Sequence, residues 1–91
     1  MYNHQLKVFI CVAECGSFSR ASQLLYMSPT AVMKQINNLE KHLGISLFIR
    51  TKTGSYLTEA GKSIYKNAKK IIQFSDDAIL EAVEISKRGV L

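Results

Sequence analysis

Ninety-one residues, 47% of them hydrophobic, with one proline and five glycines, are too apolar for a disordered chain and suit one small, mostly helical domain that buries roughly 60–65% of its unfolded surface. Twelve Lys and Arg against seven Asp and Glu leave a formal charge of +5, so an anionic partner is expected, nucleic acid first and a membrane surface second. The chain has no run of about 18 apolar residues, and its N-terminus lacks the charged and apolar regions of a secretion signal, so the cytoplasm is the expected compartment.

Leu6, Phe9, Ile10 and Ala13 recur at helical spacing between Asn3 and Glu14, with Gly16 behind Cys15 as a stop, which predicts a first, core helix. Ser17 is placed to cap a short second helix, Phe18 to Leu25, whose Phe18, Ala21, Leu24 and Leu25 are expected to face inward. Tyr26 and Met27 separate it from Ser28, a capping serine followed by Pro29 at a first helical position, where the missing N–H has no helical partner to lose. A third helix then runs to Leu43 and stops at Gly44.

The third helix carries the strongest pattern. Val32, Ile36, Leu39 and Leu43 recur at spacings of four, three and four, one stripe that must be buried. Thr30, Met33, Lys34, Asn37 and Lys41 are thereby turned outward: a hydroxyl, a flexible apolar chain, an amide and two positive charges, with no acid among them. So short a link after a two-turn helix fits a helix-turn-helix, in which the second helix lies in the major groove of DNA.

Ile45–Arg50 and Ser55–Thr58 read as two short strands around Thr51-Lys52-Thr53-Gly54, a hairpin that places Arg50 and Lys52 in or beside a basic tip. A last helix opens at Thr58 and Glu59 and runs toward Arg88 and Gly89. At about 1.5 Å per residue it spans on the order of 40 Å, so part of it must project from a domain this small. Ile64, Ala68, Ile71, Ser75, Ala78, Ala82 and Ile85 alternate at three and four along it, flanked by Tyr65, Ile72 and Ile79 and widened by Phe74 and Leu80. A projecting apolar stripe calls for a partner, most simply the same helix of a second copy. Lys62, Lys66, Lys69 and Lys70 lie early in the helix and Asp76, Asp77, Glu81 and Glu84 late, an arrangement that favours antiparallel pairing.

Cys11 and Cys15 are the only cysteines, four apart in a helix, where a disulfide would be strained, and neither His4 nor His42 stands at a metal-ligand spacing; buried free thiols and no metal site are expected. Enzyme chemistry is not expected: the chain has no Gly-x-Ser-x-Gly elbow, phosphate-cradling glycine loop or His-Glu-x-x-His pair, and Glu14, Glu40 and Glu59 are far apart in sequence. No cofactor is expected.

Taken together, these residues resemble the N-terminal DNA-binding domain of LysR-type transcriptional regulators, over essentially the whole chain. The matching positions are Leu6 and Phe9; Gly16-Ser17-Phe18-Ser19 with Ala21 and Leu25; Ser28; Gln35-Ile36 with Leu39-Glu40; Leu43-Gly44; Leu47-Phe48 with Arg50; and Leu57-Thr58 with Ala60-Gly61. The resemblance implies a mainly α fold, a winged helix-turn-helix with a three-helix core and a two-stranded wing over residues 1–58, followed by a linker helix for dimerisation over 59–91. It also implies an effector-binding domain, which this chain does not contain.

On the same resemblance, Ser28, Pro29, Thr30, Met33, Lys34 and Asn37 would sit in or near the major groove, with Arg50, Lys52 and Thr53 at the wing on the backbone or minor groove. Ile64, Ala68, Ile71, Ile72, Ala78, Ile79, Ala82 and Ile85 would form the dimer contact, and a full-length chain would assemble further into a tetramer. Two positions depart from the family pattern. Pro29-Thr30 stand where a glutamine and a proline are common, and Met33 stands where a serine or threonine is usual, so an adenine-reading amide is lost and Met33 has only apolar contact to offer, best suited to a thymine methyl. Two other readings remain: a protein-interaction module using the last helix, and a membrane-surface binder using Lys62–Lys70, the latter disfavoured by the acidic later half.

Overall fold

The computed structural model describes residues 3–89, with side chains from His4 onward, so residues 1–2 and 90–91 of the two expected units lie outside the described residues. The elements follow in the order α1 (Asn3–Cys15), α2 (Phe18–Leu25), α3 (Pro29–Leu43), β1 (Phe48–Thr51), β2 (Gly54–Leu57) and α4 (Glu59–Lys87). Three of the four helix starts have a local cause. Ser17, Ser28 and Thr58 take extended backbone, and their hydroxyls accept from the N–H groups of Arg20, Ala31 and Gly61 at 3.3, 3.1 and 2.9 Å, satisfying donors that the first helical turn leaves free.

Helix ends are equally local. Gly16 and Gly44 adopt positive φ, and their N–H groups close on Val12 and Glu40 carbonyls. Tyr26 does the same work after α2 at φ 54°, with its own N–H directed to the Gln23 carbonyl and that of Met27 to the Ser22 carbonyl. A tyrosine in this left-handed conformation carries a strain that glycine would not.

α1 is the central helix and packs on α2, α3, α4 and β2. Leu6, Val8, Phe9 and Val12 of α1, Ala21 of α2, and Val32, Ile36 and Leu39 of α3 are buried together with Leu47, Phe48 and Ala68. Ile10 and Ala13, expected at the centre of the α1 face, pack at its margin, whereas Val8 and Val12 are fully enclosed: a helix covered by neighbours on several sides buries more than one stripe. In α2, Leu24 is 63% exposed and Ser22 is buried in its place, its hydroxyl donating to the Ser19 carbonyl at 2.6 Å. At about 100° per residue, Phe18, Ala21 and Leu25 share one face and Ser22 falls closer to it than Leu24 does. Leu43 at the end of α3 is also exposed, so the buried stripe there stops at Leu39.

The first strand is shorter than the sequence suggests and starts three residues later, and the second is shifted back by one residue. They pair antiparallel with Phe48 opposite Leu57, Ile49 opposite Tyr56, Arg50 opposite Ser55 and Thr51 opposite Gly54, leaving Lys52 and Thr53 as a two-residue turn. Residues 45–47 are a connection rather than a strand, because Leu47 drops into the core and its N–H is taken by the Glu40 carboxylate, Oε2 accepting at 2.7 Å. The hairpin is tied to the body by Ser55 N–H donating to the Gly16 carbonyl and Thr58 N–H donating to that of Leu47, both at 3.0 Å.

α4 does not begin as a separate unit at residue 59. Ala68 is buried in the core, and Ile64, Tyr65 and Ile72 pack against it. Three residues expected at a dimer contact, Ile64, Ala68 and Ile72, thus face their own domain. Tyr65 donates its hydroxyl proton to the Glu14 carboxylate at 2.7 Å, and Lys69 Nζ lies 3.1 Å from the same oxygen, latching α4 to α1. From Asp76 to Gly89 every residue is exposed, and the long dimension of the molecule, 55 Å against 27 and 20 Å, reflects this projecting half.

The latch has a pH signature. The Tyr65 hydrogen bond first, then the Lys69 hydrogen bond, hold the Glu14 carboxyl below its ordinary 4.5, and Glu14 holds the Lys69 ammonium above its ordinary 10.5. A lowered carboxyl pKa gives stability that is present above the unfolded value and lost as pH falls through the folded one; the raised lysine gives stability present below its unfolded value and lost as pH rises through the folded one. Glu14→Gln should therefore lower the melting temperature slightly at pH 7, the effect being small for groups this exposed, and the difference from the wild type should shrink as the pH falls below 4.5.

Candidate nucleic-acid interface

Burial of Val32, Ile36 and Leu39 forces the other face of α3 into solvent. Thr30, Met33, Lys34, Asn37 and Lys41 are all exposed, as are Ser28 and Pro29 at the start of the helix and Arg50, Lys52 and Thr53 in the hairpin. Met33 is 42% exposed, so an apolar contact is held ready on an otherwise polar surface. Lys34 and Lys52 take part in none of the ion pairs among the described residues, which leaves both charges available to an external anion. Ser28 divides its role, since its hydroxyl already accepts from Ala31.

The wing tip is braced from within. Thr51 Oγ1 donates to the Gly54 carbonyl at 3.0 Å and accepts from Thr53 N–H at 3.3 Å, while Thr53 and Tyr56 hydroxyls lie 3.2 Å apart. This braces the turn that carries Lys52. Arg50 is not at the tip. It lies in β1 opposite Ser55, and its Nη2 donates to Asn37 Oδ1 at 2.8 Å. Two residues expected to face outward separately are thus joined to each other.

Sequence reasoning passed over Tyr26, which is 97% exposed between α2 and α3, because a lone aromatic in a two-residue link carries no periodic signal. It also set Glu40 aside as one of three acids far apart in sequence. That carboxylate in fact reaches from α3 to the N–H groups of Leu47 and Phe48 and lies 3.6 Å from Arg50. Its spacing of seven from Leu47 belongs to no local pattern, so nothing in the sequence signals it.

Cys11 and Cys15 are free thiols, Sγ to Sγ 3.9 Å. Burial first, then the hydrogen bond to Cys15, push the Cys11 thiol above its usual range, which disfavours the reactive thiolate. Among the described residues no group of three or more His, Cys, Asp or Glu is arranged to hold a metal ion, and no helix is long and apolar enough to cross a membrane.

Residues 3–62 match the family model described as bacterial regulatory helix-turn-helix protein, lysR family. The chain is 37% identical over 91 residues to the HTH-type transcriptional regulator CrgA of Neisseria meningitidis serogroup B, with 98% of this chain and 30% of the relative covered. It is 39% identical over 82 residues to the HTH-type transcriptional regulator BudR of Klebsiella aerogenes, covering 90% of this chain and 57% of that one. The chain thus spans a little under a third of the first relative and over half of the second. Among solved structures it superposes on the CbnR DNA-binding domain in complex with DNA, with a TM-score of 0.90 at 31% identity and 94% and 99% of the two chains covered. The BenM DNA-binding domain in complex with benA site 1 DNA gives 0.87 at 30% identity, with 94% and 97% covered. On the family model, the relatives and the winged helix-turn-helix architecture alike, this chain belongs to the lysR family of bacterial regulatory helix-turn-helix proteins.

Proposed function

We propose that this domain binds double-stranded DNA as the reading head of a bacterial transcription regulator, with α3 in the major groove and the hairpin on the backbone or in the adjacent minor groove. The observation that carries the reading is the outer face of α3, none of whose exposed residues is acidic, presented by a helix whose opposite face is locked in the core. The likeness to two DNA-bound domains at 31% and 30% identity supports it. Thr30 and Lys34 meet base edges or the phosphates beside them, Met33 meets a thymine methyl, and Ser28, Pro29, Lys52 and Thr53 set register on the duplex. Binding rather than catalysis is the proposed activity, and it places the protein in the cytoplasm with the chromosome.

The test is a duplex selected by the chain from a random library. Lys34→Ala should weaken binding to that duplex by about 1–3 kcal/mol if Lys34 reads a base edge bidentately. An unchanged affinity would remove Lys34 from the reading face. Loss of binding between 50 and 200 mM salt should be steep, because phosphate contacts release counterions; a pure protein-interaction module would bind no duplex at either salt.

The projecting half of α4 supports a homodimer. Ile71, Phe74, Ile79, Leu80 and Ile85 are exposed there, with Ala78 and Ala82 between them. Antiparallel pairing of two α4 helices buries this stripe and sets the lysine-rich first half of one against the acidic second half of the other. Two heads on one dimer fit a two-fold symmetric site, and a longer chain carrying an effector-binding domain would assemble further into a tetramer. Ile79→Asp should weaken self-association by at least about tenfold in sedimentation velocity, since it buries a charge in an apolar contact, while leaving the helical signal of the core intact. A variant that dimerises as well as the wild type would move the contact elsewhere.

A further inference from the structure

Asn37 and Arg50 have the exposure and polarity of DNA contacts, yet they are occupied with each other. Arg50 Nη2 donates to Asn37 Oδ1 at 2.8 Å and lies 3.6 Å from Glu40 Oε1, and its guanidinium carbon stands 4.7 Å from the centre of the Phe18 ring. Phe18 in turn meets Phe48 edge to face at 5.7 Å, and Phe48 packs on Phe9 at 5.4 Å. One side chain from β1 therefore touches α2 through Phe18 and α3 through Asn37 and Glu40, three residues apart on one helix face. The other Glu40 oxygen holds Leu47 N–H at 2.7 Å, so the same carboxylate anchors the root of the wing.

We propose that Arg50 is a positioning residue: it clamps the wing to the recognition helix through Asn37, Glu40 and Phe18, and fixes the offset between the tip that carries Lys52 and the helix face that carries Lys34. The inference rests on the DNA-binding reading. It follows from what the geometry demands of the side chain. One guanidinium nitrogen faces both α3 acceptors while the planar group lies close to the Phe18 ring, and a lysine in the same place has a compact charge without that stacking surface. Residues that support a reading surface act on affinity by holding it in shape, and do so without adding a phosphate contact of their own.

The experiment measures binding to the duplex selected by the wild type, across 50–200 mM salt, at a temperature where circular dichroism shows every variant folded. Arg50→Ala and Arg50→Lys should each bind about tenfold more weakly, equivalent to about 1.4 kcal/mol, with the wild-type slope of log affinity against log salt. Lys52→Ala, placed at a phosphate, should instead flatten that slope by about 1. Asn37→Ala, at an exposed helical position that tolerates alanine, should also bind about tenfold more weakly, and the double variant Asn37→Ala/Arg50→Ala no more weakly than either single, the signature of two residues acting as one contact. Wild-type affinity in Arg50→Lys, a slope flattened by about 1 in Arg50→Ala, unchanged affinity in Asn37→Ala, or additive losses in the double variant would each overturn the clamp. A wild type that binds no duplex would overturn the DNA-binding reading itself, and the clamp with it.

Discussion

Gly61→Ala should destabilise the domain by about 3 kcal/mol, the upper end of the range for overpacking a tight site, which lowers the melting temperature of a chain this size by roughly 12–24 °C. Two effects oppose each other at this position. Gly61 lies in the first turn of α4, where alanine is intrinsically favoured over glycine by about 1 kcal/mol. Against that, a Cβ at this position would run into the carbonyl oxygen of Leu47 and press on the Leu57 side chain. The carbonyl is backbone and already accepts from Thr58 N–H, so it cannot swing away without breaking the bond that seats the start of α4. Urea unfolding of the two proteins decides the matter. A stability equal to or above the wild type would mean that helix propensity wins and that the Leu47 segment yields to the added methyl group.

Glu40→Ala should cost about 2–3 kcal/mol, because this carboxylate is mostly buried and holds backbone donors. Its Oε2 accepts from Leu47 N–H at 2.7 Å and more weakly from Phe48 N–H at 3.4 Å, and both residues are buried by their side chains. Removing the acceptor leaves a partly buried donor without its partner, and bonds to a charged acceptor are worth more than neutral ones. Glu40→Gln keeps a carbonyl oxygen at the same reach and loses only the charge, so it should cost about 1 kcal/mol. Chemical denaturation of the three proteins separates these contributions. Equal losses in the two variants would assign the effect to the charge facing Arg50 rather than to the hydrogen bond that holds the root of the wing.

These two positions also show where sequence reading stops. The number, order and approximate extent of the helices were legible, because caps, glycine stops and three-and-four periodicity are local signals and the local chemistry prevailed at Ser17, Ser28, Gly44 and Thr58. The outer face of α3 was legible for the same reason: once Val32, Ile36 and Leu39 are committed to the core, geometry dictates what remains outside. The strands were displaced by up to three residues at the start of β1, since the segment 45–47 has the residue types of a strand and is kept from being one by a carboxylate five to seven residues earlier. Gly61 looked like a family position and nothing more, because the carbonyl it must clear lies fourteen residues back along the chain.

The last helix marks the division most plainly. By itself the sequence determined that residues 59–88 form one amphipathic helix with an apolar stripe running its full length, because periodicity is a property of the helix alone. Only the tertiary structure decided what each part of that stripe is for. Ile64, Ala68 and Ile72 lie where α4 packs on the rest of the domain and complete its own core, while Ile71, Ala78, Ile79, Ala82 and Ile85 remain exposed. The pairing of Arg50 with Asn37 was decided in the same way. A side chain's exposure and chemistry are written in the sequence, but whether it faces a partner molecule or a neighbour thirteen residues away depends on how the hairpin folds back on α3.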